Sequence, residues 1–361
     1  MDLTLAFWIG LVVIAIIAGT VFYQDILRFV KRNQEVDEIY VQALESLLDG
    51  ELRLGTERLK KAIRENTENI AAYIRLGNIM REHGSVNTAI KIHAELHMRK
   101  SLPQQYANRL NKALADDYIK AGNYEKSLYH LNLIDLSKYP ISINLNNYKR
   151  QLLEKLGRWE DAFQLLKNSH SQDEKSRKKL AHYKVKMAEK KVEEGEEKEA
   201  RIIYKEALKF VDHYPTALLG LGDSYWRENR KDEAIQKWQS LCQNNPKHAY
   251  LAFEKLEKAW FEIGEFEKTQ QFYQMMLREY SEIIEPYLAL ATILEKKGEF
   301  EKALEILDKG LRIDSENKQL LGHKVKILIK AEKNNEAASL GLQLLRTEIF
   351  SLEKQYTSSM N

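Results

Sequence analysis

One cysteine, Cys242, and five prolines are all that 361 residues contain of either type. A lone thiol excludes an intrachain disulfide framework and any multi-cysteine zinc site. It fits a reducing compartment, and the simplest reading of Cys242 is a small buried apolar residue in a helix. Scarcity of proline favours long helical stretches, because proline breaks helix interiors. Charge of one sign is lacking too: 56 basic residues face 53 acidic ones, for a net charge of +3. That balance gives no electrostatic reason to expect nucleic acid as a partner. No glycine-rich phosphate loop, no GxSxG elbow and no carboxylate pair set on a turn stands out, so nothing points to an enzyme, and no cofactor is implied.

What is present begins with an uncharged stretch, Leu3 to Tyr23, in which twelve residues are Leu, Ile, Val or Phe. As a helix it would span roughly 32 Å, the thickness of a bilayer's hydrocarbon core. A cleaved signal peptide is the competing reading, but only Met1 and Asp2 precede the run and neither is basic. Arg28, Lys31 and Arg32 follow it, so the positive-inside tendency places the rest of the chain in the cytoplasm. The expected organisation is an anchor over 1–25, a basic juxtamembrane linker over 26–35, a repeat domain over 36–347 and a tail over 348–361.

The repeat shows in its punctuation. Gly50, Gly84, Gly122, Gly157, Gly195, Asn229, Gly264, Gly298 and Glu332 stand 34 to 38 residues apart. All but Glu332 are glycine or asparagine, the residues that best tolerate the left-handed backbone ending a helix. Five residues after each mark comes Gly55, Ala89, Ser127, Ala162, Ala200, Ala234, Thr269, Ala303 or Ala337. Small side chains there let the second helix of a hairpin press on the first. The stretch "LLGLGDSYWRENRKDEAIQKWQSLCQNNP" places Leu218, Leu221, Gly222, Tyr225, Ala234, Trp238 and Pro246 at the signature positions of a tetratricopeptide repeat. The fold expected is all-α: about nine helix–turn–helix repeats stacked as one continuous tetratricopeptide superhelix. The run "EKKVEEGEEKEA" (189–200) alternates charge and reads as a solvated helix face.

"AAYIRLGNIMREHGSVNTAIKIHAEL" (71–96) and "DDYIKAGNYEKSL" (116–128) carry a further likeness. With the anchor and basic segment, they resemble the lipopolysaccharide assembly protein B family. The resemblance implies an adaptor at the bacterial inner membrane. Its partners would be proteins: a membrane-anchored AAA+ protease and the client it degrades, a deacetylase committed to lipid A. It also implies a rubredoxin-like metal domain on two CxxC pairs, whereas this sequence has no cysteine beyond Cys242. A general membrane-tethered scaffold for another envelope or secretion pathway is the alternative.

Such repeats bind on the face lined by the first helix of each hairpin, at the second, fifth, ninth, twelfth and thirteenth positions. The candidates there are Ile74, Asn78, Arg81, Arg109, Lys112, Lys120, Asn147 and Gln151, followed by Leu219, Trp226, Arg227 and Phe261. The first group is polar and basic, suited to an acidic or extended peptide, and Arg81, Arg109 and Lys112 are expected to face solvent. The second offers aromatic anchors. The lysine–asparagine arrangement that grips a chaperone's C-terminal carboxylate is not reproduced, since Asp116 follows Lys112 where asparagine would be needed. "HAELH" sets His93 and His97 on one helical face. Without a third ligand, His93 reads as a packing residue, and no metal is expected.

Overall fold

The computed structural model describes residues 38–345, save 101, 136, 138–143 and 170–172, together with Gln24. The expected anchor over 1–25, apart from Gln24, the linker over 26–35 and the tail over 348–361 lie outside these residues. Among the described residues no helix is long and apolar enough to cross a membrane.

The described chain is helical, with one 3-10 turn and no strand. Its helices pair as nine hairpins. Helices α1 (38–48) and α2 (Leu52–Glu65) form the first. Helices α3 (Ile70–Glu82) and α4 (Val86–His97) form the second, and α5 (Gln104–Lys120) and α6 (Tyr124–Asn132) the third. Next come α7 (Leu145–Lys155) with α8 (Trp159–Lys167), and α9 (Glu174–Glu193) with α10 (Glu197–Phe210). Helices α11 (Pro215–Arg227) and α12 (Lys231–Asn244) precede α13 (Tyr250–Glu262) and α14 (Phe266–Glu279). The last four are α15 (Glu285–Lys296), α16 (Phe300–Leu311), α17 (Lys318–Lys330) and α18 (334–345). Where the sequence suggests one continuous run, the chain divides into two compact units, through Leu165 and from Leu166 onward.

Each hairpin turns at its punctuation mark. All nine marks have positive φ, from 59° at Asn229 to 83° at Gly84. In the second hairpin the Gly84 amide donates to Arg81 O and the Ser85 amide to Met80 O, which satisfies the carbonyls that end α3. The same pair of bonds closes α11 at Asn229 and α17 at Glu332. Starts are marked as well. The side chains of Asn69, Asn123, Asn144, Asp173 and Asn317 each accept an amide hydrogen bond from the first turn of the helix they precede. Pro215 and Pro286 sit in first turns, where a missing N–H costs nothing. His213 also has positive φ, at 54°, and the sequence pattern does not single it out.

The nine small residues after the marks are all buried. A glycine on the first helix makes room in turn for a large side chain farther along the second. A Cβ on Gly77 would stand 2.3 Å from His93 Nε2, and one on Gly222 would stand 2.3 Å from Trp238 Nε1. Thus α4 seats His93, and α12 seats Trp238, directly on the backbone of the helix before it. In the second unit the interior runs from Leu218 through Trp238, Trp260 and Tyr273 to Leu328. Cys242 lies within it, and burial pushes its thiol up to about 12, so it stays protonated and unreactive.

Replacing Ala234, which has no exposed surface, with Phe should overpack the α11–α12 seam and cost roughly 1–3 kcal/mol. Urea unfolding of the variant measures this, and unchanged stability would contradict the seam described.

Candidate functional site

In the first unit the candidate residues gather on α3, α5 and α7. Helices α3 and α5 pack on each other, so the first helices of successive hairpins form a common face. Along α5, Arg109, Lys112, Asp116 and Lys120 fall at helical spacing on one side. Arg109 and Lys120 are exposed, and Lys112 is half-buried. Lys112 Nζ donates to Asp116 Oδ2 at 2.7 Å and lies 5.6 Å from the centre of the Tyr148 ring. The Tyr148 hydroxyl on α7 donates to Asp116 Oδ1. Burial, and then that bond to a carboxylate, raise the pKa of Tyr148. Lys112 is therefore partly neutralised, while Arg109 and Lys120 carry the open positive charge of the stripe.

Arg81 differs from the expectation. Its side chain is only 14% exposed, and it donates to Asp117 Oδ1 at 2.8 Å and to Asn78 Oδ1 at 2.9 Å. Asp117 is fully buried and is also met by His93 Nδ1 at 2.6 Å. The other ring nitrogen of His93 lies 3.1 Å from Ile74 O. Arg81 thus compensates a buried carboxylate, so it holds α3, α4 and α5 together and is not free to meet a ligand. Both nitrogens of His93 are engaged, and His97 turns elsewhere, edge-on to His130 at 5.5 Å. Among the described residues there is no group of three or more histidine, cysteine or acidic side chains placed to hold a metal. Asn147 accepts from Arg150 within α7, and Gln151 is exposed.

His130 is not singled out by the sequence pattern. It stacks on Tyr118 at 5.6 Å, and its Nδ1 lies 3.1 Å from Asn111 Oδ1. Burial, with the nearby His97, lowers its pKa to about 4.

The second unit splits the remaining candidates. Trp226 is half-buried against Trp238 at 5.7 Å, with Lys231 Nζ 5.5 Å over its ring. Leu219 is likewise half-buried and packs against the same core. Arg227 is tied to Glu197, whose Oε2 lies 3.1 Å from Nη2 and also accepts from Ser224 Oγ at 2.5 Å. The bond from Arg227, then burial acting against it, leave Glu197 with a lowered pKa. Glu197 belongs to the charged run 189–200, so that run is not wholly a solvated face. Phe261 is 68% exposed and meets Phe266 edge-on at 5.1 Å.

A further cluster on the same kind of face is missing from the candidates. Glu295, at the twelfth position of its hairpin, is buried, and Lys330 Nζ, Lys326 Nζ and His323 Nε2 approach it at 2.7, 3.0 and 3.1 Å. Burial alone would raise the pKa of Glu295, but the bonds from Lys330 and Lys326 outweigh it and hold the carboxyl ionised. The positional count that gives Phe261 also gives Glu295, Lys326 and Lys330, so this cluster is legible in the sequence.

Tetratricopeptide repeat patterns match residues 216–248 and 284–317. Lipopolysaccharide assembly protein B of Escherichia coli K12 is 20% identical over 274 residues, which is 76% of this chain and 70% of that protein. The TPR repeat-containing protein YpiA of Bacillus subtilis 168 is 28% identical over 167 residues, covering 45% of this chain and 38% of YpiA. Among solved structures, MamA is 21% identical over 46% of this chain and 96% of its own, with a TM-score of 0.34. None of these comparisons indicates a catalytic family.

Two measurements test the site. Arg81→Ala should cost about 1.5–3 kcal/mol by loss of a charge-assisted bond to a buried partner, whereas Lys120→Ala should stay within about 0.5 kcal/mol. Equal stability of the two variants would contradict the role given to Arg81. For His130 the folded pKa lies below the unfolded one. The unfolded chain therefore binds a proton first as pH falls from about 6.5 to about 4. Stability should drop through that window, and His130→Phe should lessen the drop between pH 7 and pH 5. An unchanged drop would show that His130 is not its source. Among the described residues the fold is all-helical, and two of its hairpin segments, 216–248 and 284–317, match tetratricopeptide repeats.

Proposed function

We propose that the chain is a membrane-tethered adaptor that holds an acidic or extended segment of a client protein on the α3–α5–α7 face. The observation that carries this reading is the α5 stripe: Arg109 and Lys120 lie open on one helical side with Lys112 between them. Asn147 and Gln151 on α7 add polar groups beside it. Such donors suit carboxylates and peptide carbonyls. The repeat matches support protein binding in general, and tetratricopeptide arrays work through extended faces of this kind.

The setting proposed is the cytoplasmic side of a bacterial inner membrane. Its support is the uncharged run Leu3 to Tyr23 with Arg28, Lys31 and Arg32 behind it, and the similarity to a protein named for lipopolysaccharide assembly. In this reading the partners are a membrane-anchored AAA+ protease and its client, and the pathway is lipopolysaccharide synthesis or envelope assembly. A tether confines the repeats beside membrane partners and raises their effective concentration without any new contact.

Complementation of a null strain at native expression tests both parts. A form lacking residues 1–30 should keep its repeats folded, an Arg109→Ala/Lys120→Ala form should keep its helical content, and both should fail to restore growth. Full rescue by the shortened form would overturn the tether. Full rescue by the double variant would overturn the α5 stripe as the client site.

A further inference from the structure

Beyond the α5 stripe, the face made by the first helices of the first unit extends to α1. Tyr40 on α1 and Tyr106 on α5 are half-buried and pack against apolar clusters around Leu59 and Leu110. Arg75 on α3 and Arg109 on α5 are exposed. Tyr40 lies within electrostatic reach of Arg75, Tyr106 and Arg109, so one group of four side chains spans three helices. Burial raises the pKa of Tyr40; Arg75 and Arg109 oppose the rise, and Tyr106 adds to it. The Tyr40 hydroxyl therefore stays protonated and can donate. Among the described residues neither arginine has an ion-pair partner, and neither hydroxyl has a hydrogen-bond partner.

This sets the group apart from other cations on first helices. Arg81 is spent on Asp117, Lys112 on Asp116, Arg227 on Glu197, and Lys326 and Lys330 on Glu295. No acidic residue stands three or four places from Arg75 or Arg109 along its helix. Asp116, two turns beyond Arg109, is taken by Lys112 and Tyr148. Two guanidinium groups and two hydroxyl donors without an internal acceptor select an oxyanion. A single carboxylate would balance only one arginine. A phosphate monoester carries a charge of about −1.5 to −2 and three acceptor oxygens, enough for both arginines and the hydroxyls. Guanidinium forks also match phosphate geometry.

We propose that the α1–α3–α5 face is a phosphate subsite, which holds a phosphoserine or phosphothreonine of a partner protein between Arg75 and Arg109, with Tyr40 and Tyr106 as further donors. This rests on the client face proposed above, which shares Arg109, and names the group that face selects. Arg75, Tyr40 and Tyr106 become its specificity-determining residues. Lys120, eleven residues beyond Arg109 and so about 16 Å farther along α5, lies outside the subsite.

The test is fluorescence anisotropy of the full chain in detergent micelles with a fluorescein-labelled peptide carrying one phosphoserine. Two control peptides hold serine or glutamate at that position. The phosphopeptide should bind at least tenfold more tightly than either control. Arg75→Ala should weaken it at least tenfold, and Arg75→Lys, which keeps the charge but loses the fork, should recover only part of the loss. Tyr40→Phe/Tyr106→Phe keeps the rings and should weaken it at least threefold. Lys120→Ala should bind like the wild type. Circular dichroism checks that each variant is folded; if the tyrosine variant is not, Arg75→Ala, at an exposed position, decides alone. Full affinity in Arg75→Ala would overturn the proposal. So would inorganic phosphate that competes at the peptide's own concentration, which would make the ligand a free anion. Phosphatidic acid vesicles bound through Arg75 and Arg109 in preference to the peptide would place the phosphate on a lipid and overturn it too. Equal binding of the glutamate peptide, dependent on Arg109 and Lys120, would overturn the phosphate subsite and leave the acidic client face standing; that face fails separately, by rescue of the null strain with the Arg109→Ala/Lys120→Ala form.

Discussion

Everything in this fold depends on how closely two helices of a hairpin can approach. His93 and Trp238 rest on the backbones of α3 and α11 because Gly77 and Gly222 present no side chain there. A methyl group at either site would collide with a ring at 2.3 Å. The buried small residue that follows each turn does the same for the other helix. Close packing of this kind leaves no space that could relax around a larger residue, which is why the small positions recur so regularly while the surfaces between them vary.

That geometry also decides which polar residues can bind. The first helix of each hairpin must bury one side against its partner, so only its remaining face is available. Where that face turns inward a charge has to be compensated, and the structure shows how. Asp117 is enclosed and takes Arg81 and His93 as partners. Glu295 is enclosed and takes Lys326, Lys330 and His323. Side chains spent in this way stabilise the stacking and are lost to a ligand. Arg109, Lys120, Gln151 and Phe261 remain exposed; the first three lie on the client face proposed above.

The hairpins are legible in the sequence because their determinants are local. A left-handed turn needs glycine or asparagine, a close helix contact needs a small residue, and both repeat in step. Even Glu332, a poor residue for positive φ, follows from the spacing and adopts 61°. The fate of individual charges is less legible. Whether Arg81 faces solvent depends on Asp117, a residue 36 positions away, and the repeat count alone does not supply that pairing. Glu197 shows the same limit: a charged run suggests water, but Arg227 and Ser224 reach it from α11.

Protein recognition through the α5–α7 face of the first unit is tested most directly by photocrosslinking in living cells, which captures a client whatever its identity. A benzophenone amino acid at Lys120 or Gln151 should yield adducts with the same partner protein. The probe at Lys91 or Glu95, exposed on α4, should not. Identical adducts from both faces, or none from α5 and α7, would contradict the account.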